Sequence, residues 1–281
     1  MGAEVDQVLQ EALALGDEGR WEEMAGKLVE ALEHADDDPY LLCWLGVAER
    51  ELGNDGAAYD YFRRCLEQQP SDPHLLAMAG SGLAAFDDPE AESALRAAAL
   101  TGPNVVAARL QYGAYLARAG IFPEALEHLR AASELAPDDP TVHGELGVAH
   151  ALNGDLDAAV GEFEQAVEIA PDDSWTRLLL GLVYLEIGME EEAAEALIQA
   201  SEEREEDAEA HALAALAASV VGWEDAAHAA LARAEAAAAG IEVEMLQEVE
   251  ERVIAGARAA RTLLAETVGP SILRERLSEP L

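Results

Sequence analysis

Between residues 5 and 241 the small and large apolar positions recur with a long period. Glycine stands at 19, 53, 120, 154, 188 and 222, spaced by 34, 67, 34, 34 and 34 residues, and Phe86 holds the missing beat. Five residues after each beat comes Met24, Ala58, Ala91, Ala125, Ala159, Ala193 or Ala227. Four residues later comes Leu28, Phe62, Leu95, Leu129, Phe163, Leu197 or Leu231. Three later again comes Ala31, Cys65, Ala98, Ala132, Ala166, Ala200 or Ala234. A small–large–small series at i, i+4 and i+7 is one apolar stripe of an amphipathic helix. Ahead of the beat lies a second helix, marked by pairs such as Leu45-Gly46, Tyr112-Gly113, Leu146-Gly147 and Leu180-Gly181, whose small member permits close helix approach. The unit predicted is therefore a hairpin: helix A, a left-handed glycine that ends it, and helix B.

Punctuation falls in step with the period. Pro70, Pro103, Pro137 and Pro171 close the middle units. Acids follow, as Asp72-Pro73, Asp138-Asp139-Pro140 and Asp172-Asp173-Ser174. An aspartate N-cap with proline at the first helical position starts a helix, and its charge suits the positive helix end. No stretch alternates as a half-buried strand does, so the fold class expected is all-α.

These residues resemble the tetratricopeptide repeat, a 34-residue pattern of W-x2-L-G-x2-Y, A-x3-F, A and P. The unit 140–173 matches nearly in full through Leu146, Gly147, Gly154, Ala159, Phe163, Ala166 and Pro171. The register gives seven repeats, at 5–38, 39–71, 72–105, 106–139, 140–173, 174–207 and 208–241, so that 1–241 is a repeat array. The second repeat is one residue short near Pro70. The terminal repeats depart from the pattern with Glu11-Ala12 and Ala214-Ala215 in place of Leu-Gly, and Glu205 replaces the closing proline of the sixth. The resemblance implies an α-solenoid of antiparallel helix pairs, in which each repeat buries its apolar face on its neighbours.

Residues 242–281 leave the rhythm. Leu246, Val249, Val253, Ala257, Ala260 and Leu264 share one helical face over 242–268, as expected of a solvating helix that caps the open end of an array. Gly269-Pro270 is expected to stop that helix, with a short helical turn at 271–277 beyond it.

Charge narrows the function classes. The chain carries 57 acidic and 17 basic residues, net −40, and Lys27 is its sole lysine. Such a polyanion repels nucleic acid and anionic lipid. Pervasive acidity with lysine nearly absent resembles the cytosolic proteins of salt-loving archaea. Concentrated salt quenches self-repulsion, so the fold is expected to loosen at low salt. The acidic N-terminal residues do not form a signal peptide, and no run reaches the roughly 20 apolar residues of a membrane span. A cytoplasmic location is the expectation, with no membrane and no nucleic-acid partner.

Catalytic and metal patterns are weak. Cys43 and Cys65 are too few for a disulfide framework, and Cys65 falls in the small-residue core column. His143 and His150 occupy packing positions of one helix A, and no Cys/His cluster has zinc spacing. Acidic pairs such as Asp37-Asp38 read as caps, since no calcium loop surrounds them. Gly80-Ser81-Gly82 lies inside a helix pattern and lacks a nucleophile frame. Trp21 and Trp223 begin helix B and are expected to pack between repeats. No cofactor, no metal and no enzymatic activity are expected.

The family resemblance implies a concave groove lined by helix A at unit positions 2, 5, 9, 12 and 13, where peptides or helices bind. Those positions mark Tyr40, Cys43, Val47, Arg50, Leu76, Leu110, Arg118, Val148, Trp175, Leu178 and Leu182 as the candidate partner-binding residues. The Lys and Asn that form the family's carboxylate clamp are replaced by Leu9, Cys43, Leu76 and Leu110, and by Leu13 and Val47, so no chaperone tail is expected. An apolar or amphipathic segment, carrying a basic residue or two, suits this groove better. Trp175 stands out as an aromatic anchor at the groove rim. Arg50 and Arg118 either neutralise local acids or pin an acidic group of the ligand. The function expected is a protein-interaction scaffold or assembly factor; the alternative is an accessory or regulatory subunit of an enzyme whose activity lies on another chain.

Overall fold

The computed structural model describes the backbone of residues 2–238 and 243–278 and the side chains of 5–238 and 245–278. The expected repeat boundary at 241/242 lies outside the described residues. The chain is helix and short turn, with no strand among the described residues. It forms two compact units, Met1–Ala119 with Pro123–Leu135 and Ala136–Leu281 with Gly120–Phe122.

The first unit is a succession of helix pairs. They are α1 (Gly2–Asp17) with α2 (Trp21–Leu32), α3 (Pro39–Glu51) with α4 (Asp55–Glu67), α5 (Pro73–Ala84) with α6 (Glu90–Thr101), and α7 (Val106–Arg118) with α8 (Phe122–Leu135). Neighbouring hairpins also touch, α3 on α5 and α5 on α7. The second unit pairs α9 (Pro140–Leu152) with α10 (Leu156–Ile169), α11 (Ser174–Ile187) with α12 (Glu190–Glu203), and α13 (Ala208–Val220) with α14 (Glu224–Ala237). Each unit is thus a stack of antiparallel helix pairs, which is the arrangement of an α-solenoid.

Three sequence signals act as expected. The beat glycines from Gly19 to Gly222 all have φ between 72° and 80°. At Gly154 this turns the chain so that Asp155 N–H reaches the His150 carbonyl at 2.9 Å, the long bond of a Schellman cap. Where glycine is missing, Asp87 and not Phe86 takes the left-handed conformation, with φ 53°, and Asp88 N–H reaches the Leu83 carbonyl at a longer 3.3 Å. Aspartate tolerates this region better than most residues, so the turn survives without its glycine.

Capping follows the Asp-Pro signals. Asp38, Asp72 and Asp139 accept hydrogen bonds from the N–H groups of Tyr40, His74 and Thr141, each ahead of a proline at the first helical turn. Asp173 does the same for Trp175 and Thr176.

Packing explains the small–large–small column. Phe62 is fully buried between two glycines. A methyl group on Gly46 would stand 2.6 Å from its ring, and one on Gly82 would stand 2.4 Å from it. Gly147 meets Phe163 in the same way at 2.7 Å, and Gly181 meets Leu197 at 2.8 Å. The Gly80-Ser81-Gly82 segment is accordingly a packing seat, with Gly80 on Leu95 and Gly82 on Phe62.

The C-terminal region differs from the single helix expected over 242–268. Helix α15 (Val243–Ala255) ends at Gly256, whose φ of 89° breaks the rod, and α16 (Ala257–Leu263) starts anew. Gly269-Pro270 does not stop a helix either. A π-helical turn, Leu264–Val268, runs directly into α17 (Gly269–Ser278), where Pro270 sits in the first turn and withdraws no needed N–H. Helices α15 and α16 lie on α13, while α17 packs back on α11 and reaches α9.

Candidate functional site

The helix-A positions marked by the sequence divide according to what covers them. In the first unit Tyr40 is 40% exposed, Arg50 is exposed, and Val47 and Leu76 are half-buried. Tyr40 donates its hydroxyl proton to Asp72 at 2.5 Å, which ties the start of α3 to the cap of α5. That bond, with burial, pushes the Tyr40 phenol up to about 12. Arg50 lies 3.5 Å from Glu51, and half-buried Arg118 donates to the Ala114 carbonyl.

Cys43 and Leu110 are corrections. Both were expected in an open groove and both are buried. Cys43 fits between hairpins with its thiol 3.7 Å from the Leu75 carbonyl; a hydrogen bond with Cys65, then burial, hold that thiol well above the ordinary cysteine range. It is a core residue and a poor nucleophile.

In the second unit Val148, Leu178 and Leu182 are also buried, against the expectation that they line an open groove. The physical reason is packing from several elements. Helices α12 and α13 contribute to the one large buried cluster that holds these three residues, and α17, which packs on α11 and α9, adds Ile272, Leu273 and Leu277 to it.

Trp175 is half-buried at the start of α11, and two guanidinium groups lie against its ring. Arg204, at the end of α12, stands 5.4 Å from the ring centroid, and Arg276 of α17 stands 5.2 Å from it. Arg204 is fixed by Asp207 at 2.8 Å and Arg276 by Glu209 at 2.6 Å. Cation–π contacts of this kind contribute about 0.5–2 kcal/mol each, according to exposure. The expected rim anchor therefore holds an arginine of its own chain. Arg204, Glu209 and Arg276 went unmarked in the sequence reading. Of the three, only Arg276 had a compositional signal: residues 257–278 hold four arginines and two glutamates, net +2, in a chain of net −40.

The two histidines of α9 have different surroundings. Buried His143 has Nδ1 2.8 Å from Glu162 and Nε2 2.8 Å from the Pro137 carbonyl. Both partners are acceptors, an arrangement that favours the doubly protonated ring. Burial opposes the charge, but the bonds to Glu162 and to the Pro137 carbonyl outweigh it and raise the pKa above the usual histidine value. A pKa raised on folding gives stability that is complete below the unfolded value near 6.5 and lost as pH rises through the folded value. The stability difference between wild type and His143→Gln should therefore shrink as pH rises from about 6 to 9. Urea melts across that range check it; a difference that widens with pH contradicts the assignment. His150, also buried, has Nδ1 3.6 Å from Asp155.

Matching to protein-family models decides the family. Models described as tetratricopeptide repeat match residues 9–73, 87–140, 115–174 and 150–217, well over half of the chain. The chain belongs to the tetratricopeptide repeat family. No curated protein sequence matches it. Among solved structures this tetratricopeptide repeat chain is similar to one from the APC/C hetero-tetramer Cut9-Hcn1, with TM-score 0.70 and 20% identity over 86% of this chain and 48% of that one. It spans about half the length of that chain. It is also similar to PilW, a widely conserved type IV pilus biogenesis factor, with TM-score 0.60 and 21% identity over 70% and 92% of the two chains. A thermophilic TPR protein of Thermus thermophilus, TTC0263, gives TM-score 0.54 and 25% identity over 64% and 98%. These likenesses support the all-α solenoid of tetratricopeptide repeats. Among the described helices, none is long and apolar enough to cross a membrane.

Proposed function

We propose that this tetratricopeptide repeat protein is an interaction scaffold that holds a protein or peptide partner on its helix-A surfaces. The observation that carries the reading is the first unit's helix-A surface, where Tyr40, Val47 and Leu76 offer apolar area on a strongly acidic chain. Apolar surface in such surroundings is costly unless a partner covers it. Tyr40, already aligned by Asp72, is the aromatic anchor of this face, and exposed Arg50, at the other end of α3, is a polar contact at the rim. The ligand best suited is an apolar or amphipathic segment, because acids surround the face and repel an anionic tail.

The reading includes seven repeats at the boundaries set by the glycine beat, with 242–281 as the element that closes the array. It also places the chain in a high-salt cytosol, where its net charge of −40 is screened. No residue is assigned a catalytic role.

Val47→Glu combined with Leu76→Glu tests the face. The double variant should keep its helicity and lose at least about tenfold in capture of partner from native high-salt extract, as desolvating two carboxylates demands. Undiminished capture by the folded variant removes this face from the function.

A further inference from the structure

Helix α17 goes further than closing an array requires. The last hairpin, α13/α14, is already covered by α15, which packs on both of its helices. Helix α17 instead turns back along the chain onto α11 and α9, each of which already has its own helix-B partner. What it packs on is helix-A surface, and its Ile272, Leu273 and Leu277 join the large buried cluster that also holds Leu178, Leu182 and Val148. Stability of a repeat stack comes from neighbouring interfaces, and this contact is not one of them.

The manner of docking is that of a ligand helix in a groove. One apolar face enters, formed by Ile272, Leu273 and Leu277, and one cation is read by specific groups. Arg276 lies against the Trp175 ring at 5.2 Å and pairs with Glu209 at 2.6 Å. The same indole also meets Arg204, so the receptor side is set up by α11, α12 and α13 without help from α17. The charge balance fits as well, since α17 carries two arginines and one glutamate, net +1, and the whole chain is net −40. The seating also has costs. Trp175 Nε1–H is buried without an acceptor, and the approach to α17 passes through a π-helical turn. A buried unmatched donor is destabilising, and π turns are uncommon outside functional positions.

We infer that the Trp175–Glu209 face of the second unit is a recognition site for an arginine-bearing amphipathic helix, and that α17 is its resident occupant. The ligand pattern is read from α17: apolar residues at the first, second and sixth positions and arginine at the fifth, as in Ile272, Leu273, Leu277 and Arg276. A partner helix of that chemistry displaces α17, so the face opens only in its presence. This deepens the scaffold reading and rests on it, because it specifies the partner and the regulation of a helix-A face.

The test uses the full chain in 1 M KCl, about the salt at which the Debye length falls to 3 Å. Leu273→Asp with Arg276→Glu releases α17. The probe is a fluorescent peptide with the sequence of residues 268–281. The released chain should bind it at least about tenfold more tightly than wild type, whose site is filled. A peptide carrying glutamate in place of Arg276 should bind at least about tenfold more weakly, and Trp175→Leu should narrow the preference between the two, leaving the part due to Glu209. A folded released chain that ignores the peptide, or binds both peptides equally, overturns the inference. If the released variant does not fold, amide exchange in wild type decides. Residues 269–278 should exchange at least about tenfold faster than α11 and faster still with added peptide; protection equal to that of α11 makes α17 a fixed part of the fold and overturns the inference. Partner cross-linking at Tyr40 that persists while the peptide fails would leave the scaffold reading standing and remove this one alone.

Discussion

Phe62→Ala should cost about 3–5 kcal/mol, more than any other single truncation in the first unit. The ring is fully buried and held from both sides, by Gly46 of its own hairpin and by Gly82 of the next. Its removal opens a cavity that backbone on either side cannot close, and it weakens one hairpin and its junction with the next. A coupled test follows. Gly82→Ala alone should destabilise, because its methyl group would stand 2.4 Å from the Phe62 ring. In the Phe62→Ala background the same methyl enters the cavity, and the penalty should shrink or reverse. Leu100, 74% exposed on α6, is the control, and Leu100→Ala should stay within about 0.5 kcal/mol of wild type. Urea melts of the four variants check all three statements; additive penalties for Phe62 and Gly82 would show that the two do not share one packing seat.

Salt should have the second large effect, in the direction of stability rising with KCl. Two opposing terms are involved. Ion pairs such as Arg20–Glu23, Arg177–Glu203, Arg233–Glu202 and Arg261–Glu190 lose strength as salt rises. Such pairs, mostly at the surface, each contribute little. Against this, 17 cations cannot balance 57 acids, and the uncompensated 40 charges repel one another over the whole surface. The Debye length drops from about 30 Å at 0.01 M to about 3 Å at 1 M, which removes nearly all of that repulsion. The repulsive term wins because it outnumbers the pairs. The urea midpoint should climb steadily from millimolar to molar KCl, with helicity reduced at the low end. A midpoint that is flat or falls with salt contradicts this balance.

The hairpins were legible in the sequence because their causes are local. A left-handed glycine, an Asp-Pro start and a small–large–small stripe each act within a few residues, and each is found in the folded chain. Even the missing beat is local in origin, although the column marks Phe86 and the left-handed residue is Asp87. Exposure was less legible because it depends on what arrives from elsewhere. Cys43 lies in a helix-A groove column, yet a neighbouring hairpin encloses it beside Cys65. Helix α11, which carries Leu178 and Leu182, is packed by a helix from the far end of the chain, and nothing near it in sequence announces that. The cationic balance of 257–278 was the available clue. It lies in charge, whereas the repeat lies in apolar spacing, and so a reading tuned to the period passes over it.

The central claim is that a partner protein sits on the helix-A face of the first unit. A photo-activatable benzoylphenylalanine in place of Tyr40, with a second chain carrying it at Glu92 on α6, whose side chain is 42% exposed, tests this inside cells of high internal salt. Irradiation should join a discrete protein to the position-40 chain and none to the position-92 chain. Identical products from both positions, or none from position 40, would contradict the account.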